Sequence, residues 1–263
     1  MQPIPFEPRR FQSTVEHYVR GRLNYPAALI ERVAALTDLA SDDRVLDLGC
    51  GPGFLAAAFA RHAGEVIGVD PEPAMLAAAQ SYAEAAGVAI GLRRGSSYDL
   101  DRSWGMFHLA VMGRSFHWMD RPETLQRLDR MIEPGGAVAL FGERSLKLRE
   151  NAWKTRFNEI LEPFAEEDSG RAWRKTESWI PHETVLLASA FSDLQRISVI
   201  RRYETPIERL IDRALSLSST SPERLGPRQS GLVAALQEAL APDVRDGRVA
   251  EIVEMEALLA FRP

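Results

Sequence analysis

Residues 45–53 read Val-Leu-Asp-Leu-Gly-Cys-Gly-Pro-Gly and are followed by a run of phenylalanine, leucine and alanine. The first four residues have the character of a buried strand, and the run after the glycines favours a helix. Glycine has no Cβ, so the three glycines let the backbone bend sharply and let a ligand lie against it. The stretch therefore predicts a strand, a tight glycine loop and a helix, and the loop is the first candidate binding site.

The spacing of the glycines separates two classes of nucleotide-binding loop. Dinucleotide-binding proteins carry G-x-G-x-x-G, whereas Gly49, Gly51 and Gly53 follow G-x-G-x-G, with Asp47 just before them. The stretch resembles the first motif of the class I S-adenosylmethionine-dependent methyltransferases, and the chain is similar to bacterial small-molecule members of the type 11 kind. The resemblance implies that the loop lies along the methionine part of the cofactor, with Asp47 beneath it near the amino group. An ordinary strand-to-helix turn, with glycines chosen for packing, is the alternative.

A second apolar strand that ends in a carboxylate follows the loop. It covers residues 65–70 and ends at Asp70, just before Pro71. A carboxylate at this strand end can accept two hydrogen bonds from a ribose diol, and the resemblance favours this role for Asp70. Asp70 can also cap the helix that begins near Pro71, and the two roles are compatible.

Strands and helices alternate along the first 141 residues, which predicts a doubly wound α/β sheet, mostly parallel, with helices on both faces. Ligands bind such sheets at the carboxyl ends of the strands. The resemblance adds a Rossmann-like sheet of seven strands, whose last two form an antiparallel hairpin at residues 191–203 and 249–261. The remaining predicted helices are 13–19, 26–39, 73–86 and 120–131, and the remaining strands are 88–93, 107–112 and 137–141.

The regular alternation ends after residue 143. Within a single domain that spans residues 1–263, residues 1–40 form a predicted N-terminal helical cover, and residues 144–190 and 205–246 form two predicted helical insertions. We expect the insertions to form a cap over the acceptor pocket, with protection of an exposed sheet edge as the alternative. Aromatic and basic side chains of the first insertion could bind an aromatic or anionic acceptor, although a buried core and a solvated basic face are the preferred interpretation. They are Trp153, Arg171, Trp173, Arg174 and Trp179.

The loop after the third predicted strand is the next candidate. In the resembled family a short polar loop at this position lies against the adenine, so the resemblance assigns Ser97 and Tyr98 to the adenine edge. The family more often carries an acidic residue here. A polar turn without a ligand is the alternative interpretation.

The segment after the fourth strand, residues 113–118, is similar to the A-F-H-W segment of bacterial small-molecule methyltransferases and related ubiquinone-pathway-like enzymes. By this resemblance, Gly113 and Arg114 pass along the methionine part of the cofactor, and His117 lies beside the reacting methyl group. His108 is assigned to structure. No set of metal ligands is predicted.

The N-terminal segment, residues 18–26, is similar to a Y-x-x-x-R-x-x-Y-P pattern in the same bacterial group. There the leader folds over the cofactor, and an arginine can pair with its carboxylate through a planar fork. Tyr18 and Arg22 are therefore candidate cofactor contacts. A solvated arginine in a polar leader is an equally weighted alternative.

Composition limits the function classes. The chain has 263 residues and a net charge of -5, which argues against broad binding to nucleic acid. The segment after the fourth strand also lacks the N-P-P-Y signature of enzymes that methylate DNA bases. The single cysteine, Cys50, fits a reducing compartment, and neither a membrane-spanning run nor a secretory leader is visible. These observations predict a cytoplasmic protein with a small-molecule acceptor, and a homodimer stays open.

The resemblance implies an enzyme that transfers the methyl group of S-adenosylmethionine to a small organic acceptor by in-line displacement. The acceptor atom can be oxygen, nitrogen or carbon. A hydroxyl acceptor must lose its proton, and histidine titrates near neutral pH, so His117 is the candidate base. A pocket-wall role for His117 is at least as well supported. The alternative function is a non-catalytic cofactor-binding protein of the same fold that acts as a partner or regulatory subunit.

Overall fold

The computed structural model describes residues 12–166 and 176–263. Arg171, Trp173 and Arg174 lie outside the described residues. One mixed sheet organises the chain in the order β3-β2-β1-β4-β5-β8-β6, and the short strand β7 pairs with β8 beside this path. The strands are β1 Arg44–Leu48, β2 Glu65–Asp70, β3 Gly91–Arg94, β4 Phe107–Gly113, β5 Ile132–Ser145, β6 Asp193–Pro206, β7 Val244–Arg245 and β8 Arg248–Phe261.

The predicted fold class is confirmed. Strands β1 to β5 pair in parallel, and β8 pairs antiparallel with both β5 and β6. The main path holds the seven predicted strands, to which β7 adds a two-residue piece. Strand order reverses between β1 and β4, which creates the point where ligands bind in open α/β sheets.

Strand β5 is longer than the sequence predicts. It runs over Ile132–Ser145 rather than residues 137–141, and its last residue, Ser145, pairs with Val253 of β8. Its end carries polar residues without apolar alternation, so backbone pairing with β8 extends the strand where the side-chain pattern gives no signal. The first insertion therefore begins after residue 145 rather than at 144, and β6 and β7 take residues from both ends of the second insertion.

The helices lie close to their predicted positions. In the described ranges they are α1 Val15–Gly21, α2 Ala27–Leu36, α3 Phe54–Phe59, α4 Pro73–Ala85, α5 Arg121–Asp129, α6 Trp153–Leu161, α7 His182–Leu187, α8 Ile207–Leu215, α9 Pro222–Leu225 and α10 Gln229–Leu240. Helix α5 begins as expected, because Asp120 accepts a hydrogen bond from the Glu123 backbone N–H at 3.1 Å. None of these helices has the length and apolar character needed to cross a membrane.

Both faces of the sheet are buried, as expected for parallel strands. On one face, Val33 and Phe59 of α2 and α3 pack in a cluster with Leu109 of β4. On the other, Leu128 of α5 and Leu186 of α7 pack in a second cluster with the opposite side chains of the strands. This packing fixes the carboxyl ends of the strands, where the candidate site lies.

The two insertions share a third hydrophobic cluster, in which Phe157 of α6, Leu210 of α8 and Leu236 of α10 meet. Trp153 is 2% exposed in this cluster, and its Nε1–H donates to the Ala250 carbonyl at 2.9 Å. Trp153 is therefore a core residue rather than an acceptor contact. The insertions pack on each other and on Val249 of β8 in this one cluster.

Candidate functional site

A cavity of about 1340 Å³ opens at the carboxyl ends of β1, β2, β4 and β5. It is bordered by the glycine loop, the loops after β3 and β4, helix α1 and parts of both insertions. All the site residues that the sequence predicts line this cavity except Asp47 and Gly53. Those that line it are Tyr18, Arg22, Gly49, Gly51, Asp70, Ser97, Tyr98, Gly113, Arg114 and His117.

The three glycines of the loop all have left-handed backbones, with φ of 70° at Gly49, 53° at Gly51 and 78° at Gly53. A Cβ at Gly49 would lie 2.5 Å from the Cβ of Ser115, and one at Gly53 would lie 2.9 Å from the Cβ of Ala79. Packing therefore requires two of the glycines. A Cβ at Gly51 would meet nothing within 4 Å, so this glycine opens the loop toward the cavity.

Asp47 lies in β1 beneath the loop and is 1% exposed. Its Oδ2 accepts a hydrogen bond from the Ala56 N–H at 2.9 Å, while its buried Oδ1 has no hydrogen-bond partner within the described ranges. Burial raises the pKa of Asp47 to about 7, although the Ala56 hydrogen bond lowers it. A buried oxygen without a donor is costly, so this position suits a ligand that brings a positively charged donor.

Asp70 ties the glycine loop to the start of α4. Its Oδ2 accepts from the Gly51 N–H and its Oδ1 from the Glu72 N–H, both at 2.9 Å. Burial raises the pKa of Asp70 to about 6, although both hydrogen bonds lower it. Each oxygen keeps a second acceptor site for a diol. The alternative prediction that Asp70 caps α4 is wrong, because Glu72 is the N-cap and its side chain accepts from the Ala74 N–H.

The loop after β3 is held by its own side chains. Ser96 and Asp99 form a capping box around the short turn Ser97–Asp99, and the Ser96 N–H donates to Asp99 Oδ2 at 2.7 Å. Ser97 is buried at the cavity wall and Tyr98 is 42% exposed. Asp99 is thus used to shape the turn, which leaves Ser97 and Tyr98 as the residues of this turn that line the cavity.

Sequence reasoning missed Glu143, which lies between two predicted arginines at the cavity wall. Arg114 Nη2 lies 3.0 Å from Glu143 Oε2, and Arg22 Nη1 lies 3.8 Å from Oε1. Burial would raise the pKa of Glu143, but Arg114 and Arg22 hold it at about 2. Two guanidinium groups thus share one carboxylate, so the Arg22–Glu143–Arg114 cluster has room for a further anion.

The two cations of this cluster are held in place by other contacts. Arg22 donates from Nε to Ser216 Oγ at 3.0 Å, and its guanidinium lies 5.2 Å from the centre of the Tyr18 ring. Arg114 has a left-handed backbone with φ of 58°, and its Nη2 donates to the Leu23 carbonyl at 3.2 Å. The side chain of Arg114 is therefore held in the cluster, and the residue lines the cavity.

Gly113 is the last residue of β4 and supports a close approach of the chain. A Cβ there would lie 2.8 Å from Leu55 Cδ1 and 3.2 Å from the Tyr25 hydroxyl. The backbone of Gly113 therefore lies close to α3, and a larger residue would have to displace the end of the Leu55 side chain, whether or not a ligand is bound.

His117 lies in the short turn Phe116–Trp118 after β4, and its ring centre is 4.8 Å from that of Trp118. His182, at the start of α7, is a second histidine on the cavity wall, with Nδ1 3.1 Å from Arg121 Nη1. Sequence reasoning did not single out His182, and only its place in an insertion predicted to cap the pocket could have indicated it. Trp179 lies close to this group, with its ring centre 4.0 Å from the Arg121 guanidinium.

His108 does not line the cavity. It is the second residue of β4, and its Nε2 lies 2.5 Å from the Thr37 carbonyl oxygen. A carbonyl can only accept, so Nε2 donates and joins β4 to the end of α2. This contact agrees with the structural role expected for His108.

The run Ser216–Ser219 of the second insertion also lines the cavity. Ser216 receives the hydrogen bond from Arg22 and donates to the Arg213 carbonyl at 2.7 Å. The sequence signal that could have identified this wall is a cluster of small hydroxyl residues directly after an amphipathic helix.

Comparison with known proteins matches the central part of the chain to a family model. Residues 45–136 match the model of a family described as "Methyltransferase domain". This segment of the chain is similar to a methyltransferase domain. The matched segment includes the glycine loop, Asp70 and nearly all of the strands β1 to β4, which border one part of the cavity.

Individual relatives are also named as methyltransferases. A ubiquinone biosynthesis O-methyltransferase of Azorhizobium caulinodans is 35% identical over 96 residues, which cover 36% of this chain and 38% of that protein. An uncharacterised methyltransferase of Mycobacterium tuberculosis is 29% identical over 152 residues, 57% of this chain and 58% of that protein. The chain therefore matches less than two thirds of the length of either relative.

The solved structures show the same fold. A methyltransferase from Thiobacillus denitrificans, solved in complex with S-adenosyl-L-homocysteine, has a TM-score of 0.56 and 18% sequence identity. The match covers 98% of this chain and 100% of that chain. At this identity the match supports the architecture, whereas the chemistry depends on the site itself.

Proposed function

We propose that the protein is an S-adenosylmethionine-dependent methyltransferase that acts on a hydroxyl group of a small organic molecule. The observation that carries the proposal is the glycine loop, which opens toward the cavity at Gly51, where the Gly51 N–H donates to the carboxylate of Asp70. The relatives named as O-methyltransferases support oxygen as the acceptor atom.

The residues at the loop fit each polar part of this cofactor. Asp47 Oδ1 would accept from the methionine ammonium, and the Arg22–Glu143–Arg114 cluster would take its carboxylate. Asp70 would accept from the ribose hydroxyls. Ser97 and Tyr98 would border the adenine. Bound S-adenosylmethionine supplies an activated methyl group, so the protein's task is mainly to bind and orient.

Orientation of the acceptor against the methyl group can contribute about 7–11 kcal/mol. The cavity walls that can provide it include His117 and the α7 side of the first insertion. We assign His117 the role of general base for the departing hydroxyl proton, a role that contributes on the order of 10²–10⁴-fold. The competing role, a wall that only shapes the pocket, predicts no such effect.

The insertions and helix α1 are proposed to cap the cavity in a single-domain protein. Asn158 of α6, His182 of α7 and Ser216 after α8 all line the same cavity as the glycine loop, which supports this role. We further propose a cytoplasmic location and a small-molecule acceptor rather than nucleic acid, in line with the net charge of -5. The possible homodimer stays a prediction for solution measurements.

Replacing His117 with Ala tests the catalytic role. With a phenol acceptor found by a methyl-release screen, we expect kcat to fall on the order of 10²–10⁴-fold while the affinity for S-adenosylhomocysteine is unchanged. His62→Ala is the control, since His62 does not line the cavity. Unchanged kcat at saturating substrates would assign His117 to the pocket wall. Cofactor binding by the wild type without any methyl transfer would instead favour the non-catalytic alternative.

A further inference from the structure

One wall of the cavity consists of neighbouring residues of β5, β8 and β6. Leu140 of β5 pairs with Leu258 of β8, and Leu258 also pairs with Arg196 of β6. Two residues further along β5, Gly142 pairs with Glu256 of β8. Side chains two residues apart lie on the same face of a sheet, so these five residues share one surface. All five line the cavity.

Gly142 leaves open space on this wall. A Cβ at Gly142 would meet only Glu256 Oε1, at 4.0 Å, and the residue is not among those with a positive φ. Neither packing nor backbone conformation therefore requires glycine at this position. Leu140 and Leu258 are 7% and 6% exposed and form an apolar floor beside the space.

The carboxylate of Glu256 borders the same space. Its Oε2 is held by Arg196 Nη1 at 2.9 Å, while Oε1 makes no hydrogen bond in the part of the chain that the structure describes. Arg196 also pairs with Glu183 of α7. Burial lowers the pKa of Arg196, but Glu256 and Glu183 raise it above its ordinary value, so the ion pairs persist at neutral pH. A carboxylate oxygen in this state can only accept hydrogen bonds.

The charges around this oxygen favour a donor over an anion. Arg144 lies 3.8 Å from Glu256 Oε2 and 3.9 Å from Glu254 Oε2. Together with Arg196 and Glu183, the group contains three carboxylates and two guanidinium groups. An anionic ligand beside Oε1 would therefore be repelled, whereas a hydroxyl or ammonium group would be attracted.

From this geometry we infer that the β5–β8–β6 wall is the acceptor subsite, and that Glu256 recognises a hydroxyl or ammonium donor on an apolar body that lies on Leu140 and Leu258. The inference rests on the proposed function, because an acceptor subsite has meaning only beside a bound methyl donor. The expected acceptor carries a hydrogen-bond donor and no negative charge, and Glu256 is the residue that determines this specificity.

Three ring compounds of similar size test the class. Catechol, benzylamine and benzoate are titrated by calorimetry into the full chain saturated with S-adenosylhomocysteine. We expect catechol or benzylamine to bind at least tenfold more tightly than benzoate, and the tighter of the two identifies the donor as hydroxyl or ammonium. Benzoate binding as tightly as the others, or no binding of any probe, would overturn the inference.

Two variants test the residues. Gly142→Leu fills the space and should weaken probe binding at least tenfold, while Gly142→Ala should have a much smaller effect. Glu256→Gln should weaken the donor probes about tenfold, and Glu254→Gln is its control, since Glu254 lies two residues along β8 and does not line the cavity. Unchanged probe affinity in Glu256→Gln contradicts the inference even if Gly142→Leu fails to fold.

The same titrations separate this inference from the proposed function. Failure of S-adenosylhomocysteine to bind the wild type would contradict the proposed function, and the probes would then be titrated into the free protein. Glu256→Gln should bind S-adenosylhomocysteine as the wild type does, because Glu256 is not among the proposed cofactor contacts. A variant that loses cofactor affinity and probe affinity together would contradict a separate acceptor subsite.

Discussion

At the residue scale, the three loop glycines have different physical reasons to be glycine. A Cβ at Gly49 would collide with Ser115, and a Cβ at Gly53 would collide with Ala79, whereas Gly51 faces open space. The motif therefore combines two packing requirements with one opening for a ligand. Substitutions at Gly49 and Gly53 should therefore affect mainly stability, and a substitution at Gly51 should affect mainly ligand binding.

Alanine substitutions should separate these roles. Gly51→Ala should cost about 1–2 kcal/mol through its left-handed backbone, and should weaken S-adenosylmethionine binding at least tenfold. Gly87→Ala is a matched control, since Gly87 has φ of 66° and open space but does not line the cavity. Gly49→Ala should instead destabilise the fold by on the order of 2–5 kcal/mol. Denaturant unfolding and calorimetry measure the two effects, and equal loss of cofactor affinity in Gly51→Ala and Gly87→Ala would contradict the assignment.

The buried carboxylate of Asp47 predicts a pH dependence. The pKa of Asp47 is about 7 in the folded chain and 3.8 for an ordinary aspartate, so the folded state holds the proton more tightly. Stability should therefore fall as pH rises from about 4 to about 7, and this loss disappears in Asp47→Asn. We expect the unfolding free energy of Asp47→Asn relative to the wild type to increase between pH 5 and pH 8. A difference that stays constant across this range would contradict the raised pKa.

At the element scale, helix α1 is fixed to helix α8 of the second insertion. A Cβ at Gly21 would lie 2.4 Å from the Arg213 backbone nitrogen, so the two helices touch through their main chains. Asp212 of α8 also receives hydrogen bonds from Arg20 and lies 2.6 Å from His17 Nδ1. Helix α1 and the second insertion therefore pack directly on each other, although they are far apart in sequence.

Gly21→Ala tests this contact. The added methyl group must push α1 away from α8, which should cost on the order of 1–3 kcal/mol and weaken cofactor binding through displaced Tyr18 and Arg22. Arg20→Ala removes only a half-exposed ion pair and should cost less than about 1 kcal/mol. Thermal unfolding and cofactor titration of both variants give the comparison. Wild-type behaviour of Gly21→Ala would show that the close helix contact does not support the site.

Local patterns predicted the elements well where side chains alternate or turns carry glycine and proline, as at β1, β2 and α5. They failed where tertiary pairing decides, as in the polar end of β5, which is a strand only because β8 lies beside it. Local patterns are limited in the same way in predicting the residues of the candidate site. Asp70 follows from its place at a strand end, whereas Glu143 and Glu256 become visible only when distant strands and helices meet.

At the scale of the whole molecule, the mixed sheet and the glycine loop form one side of the cavity, and residues of both insertions border it elsewhere. The insertions have their own hydrophobic cluster, so they can form a defined wall rather than a loose cover. Differences in acceptor between relatives would then arise in this part and in the β5–β8–β6 wall. The glycine loop and Asp70 would keep their role.

The most direct test of this account is calorimetric titration of the wild-type chain with S-adenosylmethionine and with S-adenosylhomocysteine, with NADH as a competing ligand. We predict one site per chain for each adenosyl compound, weakened at least tenfold in Asp70→Asn, and no competition by NADH. Absence of binding by both adenosyl compounds, or displacement of either by NADH, would contradict the assignment of the cavity to a methyl donor.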